Sequence, residues 1–170
     1  PISENARLTL RYTAEGSEIE NLESDAGALV VAEAGRGQVW NSSLGYTISY
    51  DTRRAGLNPN AGVLLELGQD FAGIGGDSTF VKTTARAVAQ TRVFNEEVTL
   101  RATFEGGMLN YSRGNSRVTD RFFLGPNIMR GFPLDGIGPR EKDSAAGVND
   151  ALGGNMYAVA RFEAEFPLGL

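Results

Sequence analysis

The chain has 170 residues, a formal net charge of −5, and neither cysteine nor histidine. That composition excludes a disulfide framework, a thiolate metal site, a Ser-His-Asp triad and most transition-metal centres. Charges of both signs are interspersed without a basic patch, which argues against a nucleic-acid partner, and glycine is the outlier at 22 residues.

In chain order, the hydrophobic period is two almost everywhere, the signature of strands. Arg7 to Glu15 sets Leu8, Leu10, Tyr12 and Ala14 against Arg7, Thr9, Arg11 and Thr13. A short helical candidate follows at Ser24 to Glu33. The next strand sets Leu44, Tyr46, Ile48 and Tyr50 against Ser43, Gly45, Thr47, Ser49 and Asp51. Gly62 to Phe71 is a less regular strand in which Leu64 breaks the alternation. Phe80 to Gln90 sets Val81, Thr83, Ala85, Ala87 and Ala89 against Lys82, Thr84, Arg86, Val88 and Gln90. Glu97 to Gly107 opposes Val98, Leu100, Ala102 and Phe104 to Thr99, Arg101, Thr103 and Glu105. The last strand sets Ala158, Ala160, Phe162, Ala164 and Phe166 against Arg161, Glu163 and Glu165.

The connections alternate in length. Glu15 to Gln38 is long, and Arg53 to Ala61 is a turn built on Asn58-Pro59-Asn60. Ala72 to Asp77 is glycine-rich, Thr91 to Glu96 is tight, and Ser112 to Leu152 is very long. Transmembrane β-barrels have short turns on one rim and longer loops on the other, and their strands need ~9–11 residues to span. Periodicity alone does not say which face meets lipid. Arg7, Arg11, Lys82, Arg86, Arg101, Glu105, Arg161, Glu163 and Glu165 on one face suit a wet lumen, and the aromatic and small apolar residues opposite suit lipid. A soluble antiparallel sandwich with one solvated face per sheet is the alternative.

The longest connection holds RFFLGPNIMRGFPLDGIGPR, too broken by Gly and Pro for a helix or strand and too apolar for a solvated linker. A polar run, EKDSAAGVND, and then ALGGNMYAVARFEAEFPLGL follow. This order resembles the barrel of the BamA-type outer-membrane insertases, whose relatives include the mitochondrial sorting and assembly barrel. Their sixth extracellular loop opens on "RFF-x-GG", carries "V/I-RGF/Y" at its tip and closes on "GPR/K"; "GGN" begins the next strand, which ends in "E-x-x-FP". The matching residues are Arg121, Phe122, Phe123 and Gly125; Met129, Arg130, Gly131 and Phe132; Gly138, Pro139 and Arg140; Gly153 to Asn155; and Glu163 to Pro167. Tyr50 to Gly62, YDTRRAGLNPNAG, is similar to the family's "YDTR…PTSG" strand and turn. Pro126 stands where the family has a second glycine, and Met129 where it has valine or isoleucine.

The resemblance covers essentially the whole chain and implies an all-β fold: about six meandering antiparallel strands of a sixteen-stranded transmembrane barrel, with a long in-folded loop. Residues 1–170 would be one partial barrel domain, cut from a longer protein whose first and last strands and periplasmic POTRA domains lie outside it. The implied function is assembly, the folding and insertion of β-barrel proteins into the outer membrane of a Gram-negative bacterium, without catalysis or a cofactor. The implied partners are unfolded outer-membrane barrel substrates, assembly-machine lipoproteins reached through the periplasmic domains, and the lipid bilayer. The two-partner secretion translocators, pores that export a soluble passenger, share the loop arginine and are the alternative.

Family likeness assigns Arg130 to the inner barrel wall. A guanidinium offers five donors in a fixed fork, and in a shielded lumen it needs carboxylate or carbonyl acceptors. Its acidic partner is expected beyond Leu170, with Glu163 and Glu165 as the nearest candidates inside the chain. Phe132 can add an apolar or cation–π contact, while Arg113 and Arg117 are placed on the solvated flank of the loop. Gly73, Gly75 and Gly76 read as a hairpin loop, since no helix follows to cradle a phosphate. Glu163 and Glu165 share a face without a pocket or nucleophile, which suits lumen charges better than an acid–base pair. Asp143, Asn149 and Asp150 match no calcium loop, and no metal site is expected. Trp40 and Tyr46 read as membrane-interface anchors.

Overall fold

The computed structural model describes residues 2–22, 25–53, 61–94, 97–113 and 115–166. Ser24 at the start of the helical candidate, the Asn58-Pro59-Asn60 turn, the Glu96 end of the tight turn, and Pro167 with the three residues after it lie outside the described residues.

Among the described residues, eight strands and one short α-helix form in the order β1 (Ala6–Ser17), α1 (Ala28–Ala34), β2 (Val39–Asp51), β3 (Gly62–Ala72), β4 (Phe80–Val93), β5 (Val98–Tyr111), β6 (Arg140–Asp143), β7 (Val148–Ala151) and β8 (Met156–Glu165). Six of them make one open antiparallel sheet in the order β1-β2-β3-β4-β5-β8, and β6 pairs with β7 as a hairpin inside the long connection. The six run from 10 to 14 residues, which meets the length a tilted membrane-crossing strand needs, ~9–11 residues. No helix among the described residues is long and apolar enough to cross a membrane.

Register separates the two faces. One row runs Leu8, Ile48, Leu67, Ala85, Gly106, Ala158 across all six strands. Its neighbour runs Arg7, Ser49, Glu66, Arg86, Glu105, Val159. The apolar rows are bare, with Leu10 74% and Phe162 84% exposed and Tyr12, Leu44, Ile48, Leu65, Leu67 and Phe104 also open. The charged rows are the face on which the long loop packs. A soluble sandwich would bury the apolar face against a second sheet, yet the other sheet among the described residues is the small β6–β7 hairpin. The arrangement is therefore apolar outward and charged inward, the reverse of a soluble sheet and the pattern of a barrel wall.

Polar side chains on the outer face satisfy each other. Tyr46 Oη donates to Gln69 Oε1 at 2.6 Å, and Gln69 Nε2 donates to Thr83 Oγ1 at 3.1 Å, stitching β2, β3 and β4 in register. Leu64 does not break the alternation as the sequence suggested. It lies on the inner face opposite Val88, and both are buried. The wall there carries an apolar pair between its charged rows.

The helix begins later than the sequence indicates, at Ala28 in place of Ser24, because Gly27 is its N-cap, and it runs on to Ala34. Seven residues do not sustain a helix alone, and Gly27 brings no capping side chain. Acceptors come from the long loop: Gly27 N donates to Asp150 Oδ2 at 2.7 Å and Leu29 N to Glu141 Oε2 at 3.0 Å. Carboxylates at a helix N-terminus satisfy orphan amides and complement its dipole.

A meander places the β1–β2, β3–β4 and β5–β8 connections on one rim. There the β3–β4 link folds back along β2, with Asp77 N on Trp40 O at 2.7 Å and Gly73 N on Ser42 O at 3.1 Å. Just below this rim, Ala72, Phe80 and Leu109 form a small inner-face core joined by Tyr111 and Phe122.

Candidate functional site: the docked loop

The long loop is tied to the wall in three stages. Its leading arm crosses the inner face of β4 and β5. Asp120, buried in a 3-10 turn (Val118–Asp120), accepts from Asn41 Nδ2 at 3.0 Å and from Tyr111 Oη, while its carbonyl accepts from Lys82 Nζ at 2.9 Å. Two steps on, the Phe122 ring packs edge-on against Tyr157 (4.9 Å between centroids) and beneath the Lys82 ammonium (4.6 Å). Phe122 also exchanges two backbone hydrogen bonds with Gly154, each 2.9 Å. Room for the ring comes from Gly107: a Cβ there would stand 2.6 Å from the Tyr157 ring and 2.7 Å from that of Phe122. An aromatic pair contributes about 0.5–1.5 kcal/mol beyond burial, and a partly desolvated cation–π contact about as much again.

Arg121 closes the loop's base. Its Nε donates to Ser116 Oγ (2.9 Å), Nη2 to the Ser116 carbonyl (2.8 Å) and Nη1 to the Leu152 carbonyl (3.2 Å), joining leading and returning arms. Arg117 overturns its placement on the solvated flank. It is 3% exposed, and its Nε pairs with Glu33 at the end of α1. The reason is geometric: α1 lies over this arm, and a guanidinium covered by it needs a carboxylate partner. Arg113 is exposed.

The tip is a closed sub-loop. Leu124 and Ile137 form a bridge, and between them the amides of Ile128 and Met129 both donate to the Gly125 carbonyl at 3.0 Å. Gly131 adopts φ +90°, a conformation that costs a residue with a Cβ. Met129, Arg130 and Phe132 are exposed, and Arg130 makes no hydrogen bond among the described residues. What holds this tip is Arg161 on β8, whose Nη1 donates to the Ile128 carbonyl at 2.9 Å while Nη2 pairs with Glu105.

The returning arm runs through exposed Gly138 and Pro139 to Arg140, which spans the β6–β7 hairpin to Asn149 Oδ1 (2.8 Å) and holds the Asp135 carbonyl (2.9 Å). The Pro139 carbonyl accepts from Leu152 N at 2.9 Å. Phe123 is exposed and Gly125 buried. Glu163 faces Arg101 at 3.6 Å, and Glu165 stands opposite Thr99 at the far end of the same face. The structure thus gathers Arg121, Phe122 and Arg140 into the loop's framework and leaves Arg130 apart from both glutamates. Reading the sequence missed the roles of Lys82, Glu105, Asp120 and Arg161. The period-two placement of Lys82, Glu105 and Arg161 on the inner face was visible, while Asp120 sits in the loop without a pattern to mark it; their partners are not local and had no signal.

Chemically the arrangement is built to hold the loop in place. Its interactions are charge-assisted hydrogen bonds, each about 1.5–3 kcal/mol, and ring contacts. No group of metal-ligating side chains occurs among the described residues.

The Omp85 superfamily domain matches residues 1–170. The chain is 32% identical over 170 residues to an outer membrane protein assembly factor BamA from Neorickettsia risticii, covering 99% of this chain and 22% of that protein. It is 32% identical over 152 residues to the sorting and assembly machinery component 50 homolog of Homo sapiens, covering 88% of this chain and 30% of that protein. With a BamA from Nitratidesulfovibrio vulgaris the identity is 25% over 166 residues, covering 96% of this chain and 20% of the relative. The chain spans about a fifth to a third of the length of the curated relatives it matches. With its apolar-outward sheet, its docked loop and these matches together, the chain belongs to the Omp85 superfamily, as a BamA-type member.

Proposed function

We propose that this chain is the loop-bearing part of the barrel of an outer-membrane protein assembly factor, one that folds and inserts other β-barrels. The observation that carries the reading is a six-stranded wall, apolar outside, with a long loop held on its charged inner face. Relatives named as assembly factors favour this over a pore that exports a soluble passenger. The intact barrel in this reading has sixteen strands, with its first and last strands and its periplasmic POTRA domains supplied by residues outside the chain. Its partners are unfolded barrel substrates, lipoproteins reached through the periplasmic domains, and the bilayer. Its place is the outer membrane of a Gram-negative bacterium, supported by the greater coverage of the chain by a bacterial relative than by the human one.

Within that function Arg130 is the tip residue that engages an acidic group on a strand beyond Leu170, and nothing in the process consumes a nucleotide. The test is Arg130→Ala in the full-length protein, read by insertion of a barrel substrate into liposomes and by heat-modifiability on a gel. Insertion should fall while the strands remain formed, and Arg130→Lys should rescue in part because the ammonium lacks the planar fork. Wild-type insertion by Arg130→Ala would overturn the role.

A further inference from the structure

Arg161 divides its guanidinium between two acceptors on different elements. Nη2 pairs with the Glu105 carboxylate of β5, one strand over, and Nη1 donates to the Ile128 carbonyl of the loop at 2.9 Å. The Ile128 and Met129 amides are already bound to the Gly125 carbonyl. The Ile128 carbonyl therefore belongs to a tight turn one step before Met129 and two before Arg130. That turn lies inside the sub-loop closed by the Leu124–Ile137 bridge. Among the described residues, the Arg161 bond is the one hydrogen bond joining this sub-loop to the six-stranded sheet.

We infer that Arg161 is the positioning residue that fixes the height and orientation of the Arg130 tip against the barrel wall. Three features support this. Both its partners come from parts of the chain remote in sequence, 56 residues away for Glu105 and 33 for Ile128, so the bond pins a long loop at an interior point and shortens the segments left free to wander. Glu105, half-buried beside it, holds the guanidinium plane, and a planar fork serves a carboxylate and a carbonyl at once where an ammonium serves them as a point charge. Finally, the acceptor is main chain. Met129, Arg130 and Phe132 are left exposed and unengaged, so the tip is held in place without using the side chains that would meet a partner. Its consequence for activity, though not the geometry, rests on the assembly reading above.

The experiment uses the full-length protein in lipid nanodiscs, with spin labels at Asn127 in the sub-loop and at Met108 on the outer face of β5. Wild type should give a narrow distance distribution. Arg161→Ala should broaden it and raise the displaced population about tenfold, the factor expected for losing one charge-assisted hydrogen bond. Arg161→Lys should fall between the two. Arg101→Ala is the control: it removes a cross-strand ion pair of the same kind, with Glu163, from the same two strands, but one that touches no loop residue. Its distribution should stay narrow. If Arg161→Ala fails to fold, Arg161→Lys carries the test, and a width equal to wild type would overturn the inference. Equal broadening by Arg101→Ala would overturn it as well, since the effect would then be general weakening of the wall. Loop displacement with unimpaired substrate insertion would leave the anchor standing and count against the assembly reading instead.

Discussion

Arg117 reaches from the leading arm of the long loop to Glu33 at the end of α1, and both side chains are buried. Arg36, from just past the helix, approaches the other oxygen of Glu33 at 3.5 Å, and Arg117 Nη1 extends toward Ser17 Oγ at 3.4 Å. The Glu33–Arg117 pair thus ties together the helix and the loop, and Arg117 carries the link on to the end of β1.

Removing one partner of such a pair leaves an uncompensated buried charge, at a cost of about 3–5 kcal/mol. Arg117→Ala or Glu33→Gln should therefore release α1, seen as faster hydrogen exchange at Val31 and Gly35, whose amides bond within the helix turn. The double variant Glu33→Leu with Arg117→Met should exchange more slowly than either single variant, because two apolar groups leave no orphan charge. Wild-type exchange in Arg117→Ala would show that the pair holds nothing.

The facing of β2 is testable residue by residue. Cysteines at Leu44, Ile48 and Tyr50 should resist a water-soluble maleimide in membranes, while those at Thr47, Ser49 and Asp51 should label from the lumen. Equal labelling of the two sets would contradict an apolar-outward wall.

Gly107 should not accept a larger residue. Gly107→Val drives a side chain into the Tyr157 and Phe122 rings, and overpacking of this kind costs about 1–3 kcal/mol. The heat-modifiability midpoint of the barrel should drop. Combining Gly107→Ala with Phe122→Leu should recover part of the Gly107→Ala loss, since one of the two rings the new Cβ meets is gone; strict additivity would mean that the two do not share the space.

The 170-residue chain on its own should associate in water. Its outer face exposes Leu8, Leu10, Leu44, Leu65, Phe104 and Phe162, and β1 and β8 are unpaired edges of the sheet. Apolar patches and open edges both drive association. Sizing chromatography without detergent should give large species, and a detergent-free monomer would count against this outer face meeting lipid.

The sheet was legible because a strand with one lipid face and one wet face must alternate, and the alternation in β1, β2, β4, β5 and β8 marked their positions and their two faces. The long connection was legible as an in-folded loop through the family motifs it carries. What the sequence could not convey was the environment created by distant partners. The segment around Arg117, NSRVTD, looks like solvated loop on local grounds, and its burial depends on a helix 84 residues earlier in the chain. Leu64 looked like an error of pattern for the same reason: its partner Val88 is in the next strand, on a face otherwise marked by charge. Arg161 was visible as an inner-face cation, but nothing nearby announces that half of its fork serves a loop.

The inner wall has one more property. Arg11 is matched with Asp70 across the intervening β2, and Arg86 with Glu66, Arg101 with Glu163 and Arg161 with Glu105 are each matched across neighbouring strands. A matched pair is a dipole, and its field dies away faster with distance than that of a lone charge. A charged peptide brought to this wall would therefore meet many hydrogen-bonding groups but little long-range pull from these pairs toward either sign. Such a surface wets a chain without gripping it, and tolerates acidic and basic segments alike.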